Sequence, residues 1–251
     1  MIDTLSDREK LILTRITEEP NISVSSMGKE FGVSEVTIRT DLKSLANKGL
    51  ITRTHGGATP AFNKHIFERQ QSRTEEKHRI AKVAADLVTD GDTIMVLSGT
   101  TTALLPKYLL GKGSIRIVTD STLLFPYVRT NPNLHLSVLG GEFRSSTESF
   151  VGPAALEMVR RYNVKYAFIG TDGFSLEKGI TTHLVEVAEL VRTMTGQATK
   201  TILMTDSSKY GRAGFASIMP LAAIDVLIID DGLDTETRQK IEEQNIEIIL
   251  A

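Results

Sequence analysis

From Thr93 onward the chain is punctuated by short apolar runs: TIMVL, IRIVT, LHLSVLG, YAFIG, KTILMTD and AIDVLIIDD. Each ends in glycine, serine, threonine or aspartate. Helical patterns lie between them: TALLPKYLLG, TLLFPYVRT, PAALEMVRRY and the stretch around EVAELVRTMTG. Strands that are apolar along their whole length, rather than on alternate residues, have both faces covered. With helices between them they imply a parallel sheet. Ligand sites in such sheets lie outside the carboxyl ends of the strands, and the polar loops of this chain fall there.

The first loop, LSGTTTALL, places Ser98, Gly99, Thr100, Thr101 and Thr102 at an expected helix N-terminus. Free amides, the helix dipole and hydroxyls there suit a phosphate. Similar loops follow the other strands: TDS with Asp120 and Ser121, LGGEFR with Gly140 and Gly141, GTDGFS with Asp172 and Gly173, and TDSSKYG with Lys209. So many polar strand ends point to one polyhydroxylated, anionic ligand. Hydroxyls and amides would take its phosphate, Asp172 or Asp120 its sugar hydroxyls, and Lys209 would supply a counter-charge.

The N-terminal segment has a different grammar. Helical patterns are read before residue 50. The first starts near Ser6, with capping-box spacing to Glu9, carries Leu11, Ile12 and Ile16, and ends before Pro20-Asn21. The second follows Ser23, with Val24, Met27 and Phe31 on one face, and stops at Gly32. The third is capped by Ser34, aligns Ile38, Leu42 and Leu45, and stops at Gly49. A helix, a glycine turn and a second helix make a helix-turn-helix. Its outer face presents Glu35, Val36, Thr37, Arg39, Thr40 and Lys43, which suit base edges and phosphates. LITRTH before GG reads as a β-hairpin wing carrying Arg53 and His55. Between Val36 and His65 the basic residues Arg39, Lys43, Lys48, Arg53 and Lys64 face Asp41 alone, a local basic stripe on a chain of net charge −2.

The run VSEVTIRTDLKSLANKGLITRTHGGA resembles the signature of DeoR-family bacterial transcriptional regulators. SGTTTALL, the TDS loop, LGGEFRSSTESFVGPAA, GTDGFSLEKGITT and DSSKYGRAGF resemble the same family in order, so the likeness runs from about Leu5 through nearly the whole chain. It implies a repressor of a sugar-catabolism operon that responds to a phosphorylated sugar, with a C-terminal domain similar in fold to ribose-5-phosphate isomerase and CoA-transferases. Departures from the family pattern are Thr40 in place of a second arginine, Leu97 in place of an aspartate, Asp120 in place of asparagine, and Glu186-Val187 in place of an acidic pair. They imply altered phosphate contact at the DNA and an altered sugar specificity, with Glu186 still expected at the ligand.

The expected architecture is α/β: a winged helix-turn-helix over 1–58, a linker or helical arm over 59–75, and a larger Rossmann-like parallel-sheet domain over 76–251. Within FERQQSRTEEKHRIAKVAADLV, residues Ile80, Val83, Ala84 and Leu87 share one helical face. A single winged helix has a small contact area, so a homo-oligomer, dimer or tetramer, is expected on operator DNA. The alternative is an isomerase-like enzyme using Glu186, Asp172 and Lys209. Against it, no acid/base pair stands beyond what ligand binding would use. His183 is the one histidine placed to reach the site, as a rim contact. The sequence has no cysteine, which excludes disulfides and thiolate metal sites. No metal-ligand spacing, and hence no cofactor, is indicated. MIDTLSDREK is not a secretory leader, and no run approaches the ~18–20 apolar residues of a membrane span. A cytoplasmic protein without membrane contact is expected.

Overall fold

The computed structural model describes residues 5–19, 22–61 and 64–251. It divides into two compact units, 1–74 and 75–251.

In the first unit, α1 spans Asp7–Glu18, α2 Val24–Phe31 and α3 Glu35–Asn47. Pro20-Asn21, expected to follow the first helix, lies outside the described residues. The capping box at Ser6 is complete: its hydroxyl accepts the Glu9 amide, and the Glu9 carboxylate accepts the Ser6 amide. Ser23 and Ser34 cap α2 and α3 through the amides of Ser26 and Thr37. Between α2 and α3 the chain turns at Gly32, whose left-handed φ of 66° is one that side chains with a Cβ rarely adopt. Ile12, Leu13, Ile16, Met27, Ile38, Leu42 and Leu45 form a core with exposures of 0–1%. After α3, strands β1 (Ile51–Arg53) and β2 (Ala58–Pro60) pair antiparallel, with Arg53 opposite Ala58.

The stretch 59–75 is not a linker alone. It contains the end of β2 and helix α4 (Lys64–Gln71), and Phe67 of α4 joins the first unit's core. Composition there is polar because a short helix needs only one or two apolar anchors. The helical pattern expected to run on from Phe67 is broken at Arg73, whose φ is 53°. Helix α5 (Thr74–Asp86) then begins. Its buried face is Ile80, Ala81, Ala84 and Ala85, rotated from the expected Val83 and Leu87.

The second unit is built on a seven-stranded sheet of β3 (Thr93–Val96), β4 (Ile115–Thr119), β5 (Leu134–Val138), β8 (Val164–Ile169), β11 (Ala198–Met204), β13 (Val226–Ile229) and β14 (Glu247–Leu250). Their spatial order is β14-β13-β11-β8-β3-β4-β5, and every pairing is parallel. The remaining elements are α6 (Phe125–Val128), the hairpin β6 (Glu142–Arg144) and β7 (Ser149–Val151), and α7 (Pro153–Val159). With them come β9 (Gly173–Ser175), β10 (Gly179–Thr182), α8 (Val185–Thr195), β12 (Ala216–Met219) and α9 (Thr235–Glu242). Strands β12, β10 and β9 form a small antiparallel sheet. Strand order reverses between β3 and β8. From β3 the chain winds outward through β4 to β5, and from β8 it winds the other way through β11 and β13 to β14. In open α/β sheets that reversal marks the ligand crevice.

Candidate functional site

In the first unit the expected reading surface is the outer face of α3 and the wing. Ile38, Leu42 and Leu45 point inward, leaving Glu35, Val36, Arg39, Thr40 and Lys43 exposed, with Ser34 beside them and Thr37 half-buried. Val36 is 73% exposed. An apolar side chain at the start of such a helix costs free energy in water, and a thymine methyl would cover it. The Ser34 hydroxyl serves as the cap and also bonds Thr37 Oγ1 at 2.9 Å, while Thr40 Oγ1 donates to the Val36 carbonyl at 3.0 Å. Arg39 rests against Glu35 at 3.2 Å. Both side chains are exposed, so the pair is worth a few tenths of a kcal/mol and yields readily to a phosphate. Arg53 and His55 stand exposed on the wing. The turn between β1 and β2 is pinned to the helices, because the Gly56 carbonyl accepts the Val24 amide at 3.0 Å.

One member of the basic stripe is turned away from this surface. Lys48 folds back on Glu9 at 2.8 Å, and the Lys64 side chain lies outside the described residues. Asp41 does not oppose the stripe either. It is 8% exposed and takes the Arg8 guanidinium on both oxygens, at 2.7 and 3.2 Å, tying α1 to α3. Sequence spacing does not reveal these pairings, whose partners lie 33 and 39 residues apart.

In the second unit the loops expected to carry ligand chemistry all emerge at the carboxyl edge of the sheet. Those after β3 and β8 flank the reversal of strand order. Gly170 brings them together: a Cβ there would sit 3.9 Å from the Thr102 methyl. Thr100 and Thr101 are 8% and 9% exposed, and among the described residues their hydroxyls take no partner. Ser98 and Gly99 are half-exposed beside them. The following helix is a 3-10 helix, Thr102–Tyr108, rather than the α-helix expected from TALLPKYLLG, because Pro106 within it has no amide to give. It therefore lacks the aligned dipole of a long helix.

Several expected ligand contacts are instead committed to building the loops. The Thr102 hydroxyl donates to the Leu97 and Gly99 carbonyls at 2.7 and 3.1 Å, and the residue is 0% exposed. Ser121 is buried and caps the amide of Leu123. Asp120 is buried, and its Oδ1 accepts the Ser98 amide at 2.8 Å, which makes it the anchor of the SGTT loop. Its Oδ2 has no hydrogen-bond partner, and burial pushes its pKa up to about 6 against the Ser98 hydrogen bonds. Asp172 Oδ2 accepts the Thr182 hydroxyl at 2.8 Å and the His183 amide at 3.0 Å, closing its own loop. Gly173 is present because a Cβ there would overlap the Arg212 carbonyl. Gly141, at φ 139°, lies equally close to Val151, and Gly140 is exposed. Lys209 is half-buried in the turn after β11, and His183 is exposed.

Glu186 opens α8, where an amide bond at the helix start lowers its pKa, burial opposes this, and Arg144 lowers it further. The guanidinium of Arg144, in β6, reaches Glu186 at 2.9 Å and Glu142 at 3.1 Å. Arg144 was not among the expected site residues. The signal was a lone basic residue in a strand-end loop, LGGEFR, whose position becomes meaningful only when the hairpin folds back. Two of the three groups proposed for isomerisation have structural partners: Asp172 accepts bonds from Thr182 and His183, and Glu186 is held ionised against Arg144. Among the described residues no three His, Asp or Glu side chains come together as a metal site, and no helix is long and apolar enough to cross a membrane.

A winged helix and a doubly wound sheet with polar loops at its switch point define a DNA-binding regulator with a sensor domain, and comparison with known proteins agrees. Residues 8–62 match the DeoR-like helix-turn-helix domain and residues 72–231 the DeoR C terminal sensor domain. The chain belongs to the DeoR family, and it is a transcriptional regulator rather than an enzyme. It is similar to the putative aga operon transcriptional repressor of Escherichia coli O157:H7, with 29% identity over 98% of this chain and 93% of the relative. It is also similar to the HTH-type transcriptional regulator GlpR of Haloferax volcanii, with 31% identity over 97% of each. A third relative is the lactose phosphotransferase system repressor of Staphylococcus epidermidis, 32% identical over 97% of this chain and 98% of the relative. Among solved structures, ribose 5-phosphate isomerase A of Methanocaldococcus jannaschii aligns with 55% of each chain at 20% identity and a TM-score of 0.40.

Proposed function

We propose that this regulator represses a carbohydrate-catabolism operon and that a phosphorylated sugar bound at the strand ends of the sensor domain controls its affinity for the operator. The observation that carries the reading is the reversal of strand order in the sheet, with the SGTT and GTDG loops on either side and two nearly buried threonine hydroxyls that take no partner among the described residues. Those hydroxyls and the adjoining amides suit a phosphate. Ser98, Gly99, Gly140 and Lys209 stand around the same edge, while Thr102, Asp120, Ser121, Gly141, Asp172 and Gly173 shape it from within. Operator contacts fall to Ser34, Glu35, Thr37, Arg39, Thr40 and Lys43 in the major groove and to Arg53 and His55 at the phosphate backbone. The relatives named as aga and lactose-system repressors support a sugar pathway for this chain.

An effector shifts an equilibrium only by its differential affinity for the two states. In this proposal the ligand favours a form of the homo-oligomer, dimer or tetramer, that no longer fits its half-sites. The protein acts in the cytoplasm, where operators and phosphorylated sugars meet. The test is fluorescence anisotropy on duplex DNA from upstream of its own gene, at several salt concentrations and with a panel of sugar phosphates. Site-selective binding that one sugar phosphate weakens is the expected result. Binding that no sugar phosphate alters overturns the proposed effector. Absence of binding to any fragment overturns the assignment of α3 as the reading helix.

A further inference from the structure

We propose that Arg144 is an anion-binding residue of the sensor crevice and that Glu186 is its resting counter-ion, an internal mimic that an incoming phosphate displaces. This rests on the sugar-phosphate reading above and adds to it the group that carries the charge and the contact that changes.

The argument starts from where the two residues are anchored. Arg144 lies opposite Ser149 in the β6–β7 hairpin. Ser149 bridges to Ser121 just past the end of β4, and the Phe150 amide donates to the Asp120 carbonyl at 2.8 Å. Asp120 in turn holds the Ser98 amide. The hairpin that carries Arg144 is therefore fastened to the side of the sheet that winds from β3 to β5. Glu186 belongs to the other side. It starts α8 directly after β10, and the residues before it are fixed by Asp172, in the loop after β8. The Arg144–Glu186 contact at 2.9 Å thus joins the two halves of the sheet across the place where strand order reverses.

The chemistry of the pair favours exchange. Arg144 is 38% exposed and Glu186 41%, so neither charge is trapped and water already competes for both. A guanidinium presents a planar fork that matches a phosphate as well as a carboxylate. Glu142, 66% exposed, lies 3.1 Å from the same guanidinium and is a second carboxylate with which the phosphate competes. The hydroxyls of Thr100 and Thr101, without a partner among the described residues, supply neutral donors on the β3 side, and a dianion there also needs cations, a role Arg144 would share with Lys209. A dianionic phosphate competes with the singly charged Glu186 for Arg144. Its arrival breaks the ion pair that joins the halves at the carboxyl edge, while Lys165–Asp92 still joins them at the amino ends of β8 and β3, which gives the ligand a contact that differs between the bound and free states.

The experiment is isothermal titration of the full chain with inorganic phosphate and with a set of hexose phosphates, for the wild type and for E186Q, R144M and R144K. Removing the competing carboxylate is expected to tighten phosphate binding about two- to five-fold in E186Q, the range for releasing a partly exposed ion pair. R144M is expected to weaken it about ten- to a hundred-fold, the range for a charge-assisted hydrogen bond. R144K, which keeps the charge without the fork, falls between. Melting temperatures within ~2 °C of wild type would show that these variants fold. If E186Q weakens binding, Glu186 contacts the ligand directly and the displacement model is wrong. If R144M binds phosphate as wild type does while T101V has lost it, the crevice reading stands and Arg144 has no part in it. If the wild type binds no phosphorylated compound at all, the sugar-phosphate reading fails, and the exchange proposed for Arg144 fails with it.

Discussion

At the scale of single residues, two carboxylates in this protein titrate in opposite senses. Around Glu9, burial opposes ionisation, but hydrogen bonds from Lys48, Ser44 and the Ser6 amide outweigh it and hold the pKa at about 2. Around Asp120, burial wins over the Ser98 hydrogen bonds, Oδ2 is unpartnered, and the pKa rises from 3.8 to about 6. A folded-state pKa above the unfolded value means that the contribution is fully present below pH 3.8 and is lost as pH rises through 6. D120N removes that loss while keeping an oxygen for the Ser98 amide. It is expected to stabilise the sensor unit by about 1–3 kcal/mol at pH 8 and to leave it nearly unchanged at pH 4, as read by urea unfolding at the two pH values. An equal effect at both pH values would show that the carboxyl ionises as readily in the folded as in the unfolded chain, so that burial does not raise its pKa. For Glu9 the sign reverses: its contribution is present above 4.5 and is lost as pH falls toward 2.

At the scale of elements, α3 and its C-terminal cap are tied to α1 by two ion pairs, Arg8–Asp41 and Lys48–Glu9. Asp41 faces inward from α3 and receives both arms of Arg8 from α1. D41N keeps the shape but removes the charge and one acceptor, so it is expected to cost the first unit about 1–3 kcal/mol. Circular dichroism should show that loss as a lower melting temperature for the N-terminal unit, with the sensor transition unmoved. In the sensor, G173A forces a methyl into the Arg212 carbonyl and separates the loops after β8 and β11. Operator affinity should persist in that variant while the sugar-phosphate response falls at least ten-fold. A normal response would show that the GTDG loop tolerates displacement. These cases mark what a linear chain displays. The caps at Ser6, Ser23 and Ser34 and the wholly apolar strands were legible because their physics is local. The antiparallel sheet of β9, β10 and β12 was not, since GFS, GITT and ASIM are each three or four residues long and read as loop until they pair. Strand β14 was not legible because EIIL is only four residues long and lies at the sheet edge with its end residues exposed. Likewise Asp120, Thr102 and Ser121 read as ligand contacts because a polar residue in a loop has the same spelling whether it binds a ligand or the loop itself.

At the scale of the whole molecule, the proposed control requires that binding to DNA and binding of the sugar phosphate be coupled as free energies. Contacts to phosphate release counter-ions, so the logarithm of operator affinity should fall linearly with the logarithm of salt concentration. Replacing Arg53 by alanine should reduce that slope by about one and weaken all DNA sequences alike. R39A lies on the reading helix and should lose the preference for operator over random duplex while the protein stays folded, since its pairing with Glu35 is fully on the surface. Reciprocity supplies the stricter test. If a sugar phosphate lowers operator affinity by some factor, saturating operator must lower affinity for that sugar phosphate by the same factor. The two measurements share no label, so agreement cannot arise from the probe. We expect a factor of about 5–150, the usual range for allosteric coupling, and the same number from anisotropy with added ligand and from calorimetry with added DNA. A ligand that releases DNA while its own affinity is indifferent to DNA would not be acting through the sensor crevice of the bound regulator. In that case an effect that needs no binding to the protein, such as ionic strength, would explain the release, and the Arg144–Glu186 exchange would have no bearing on the operator.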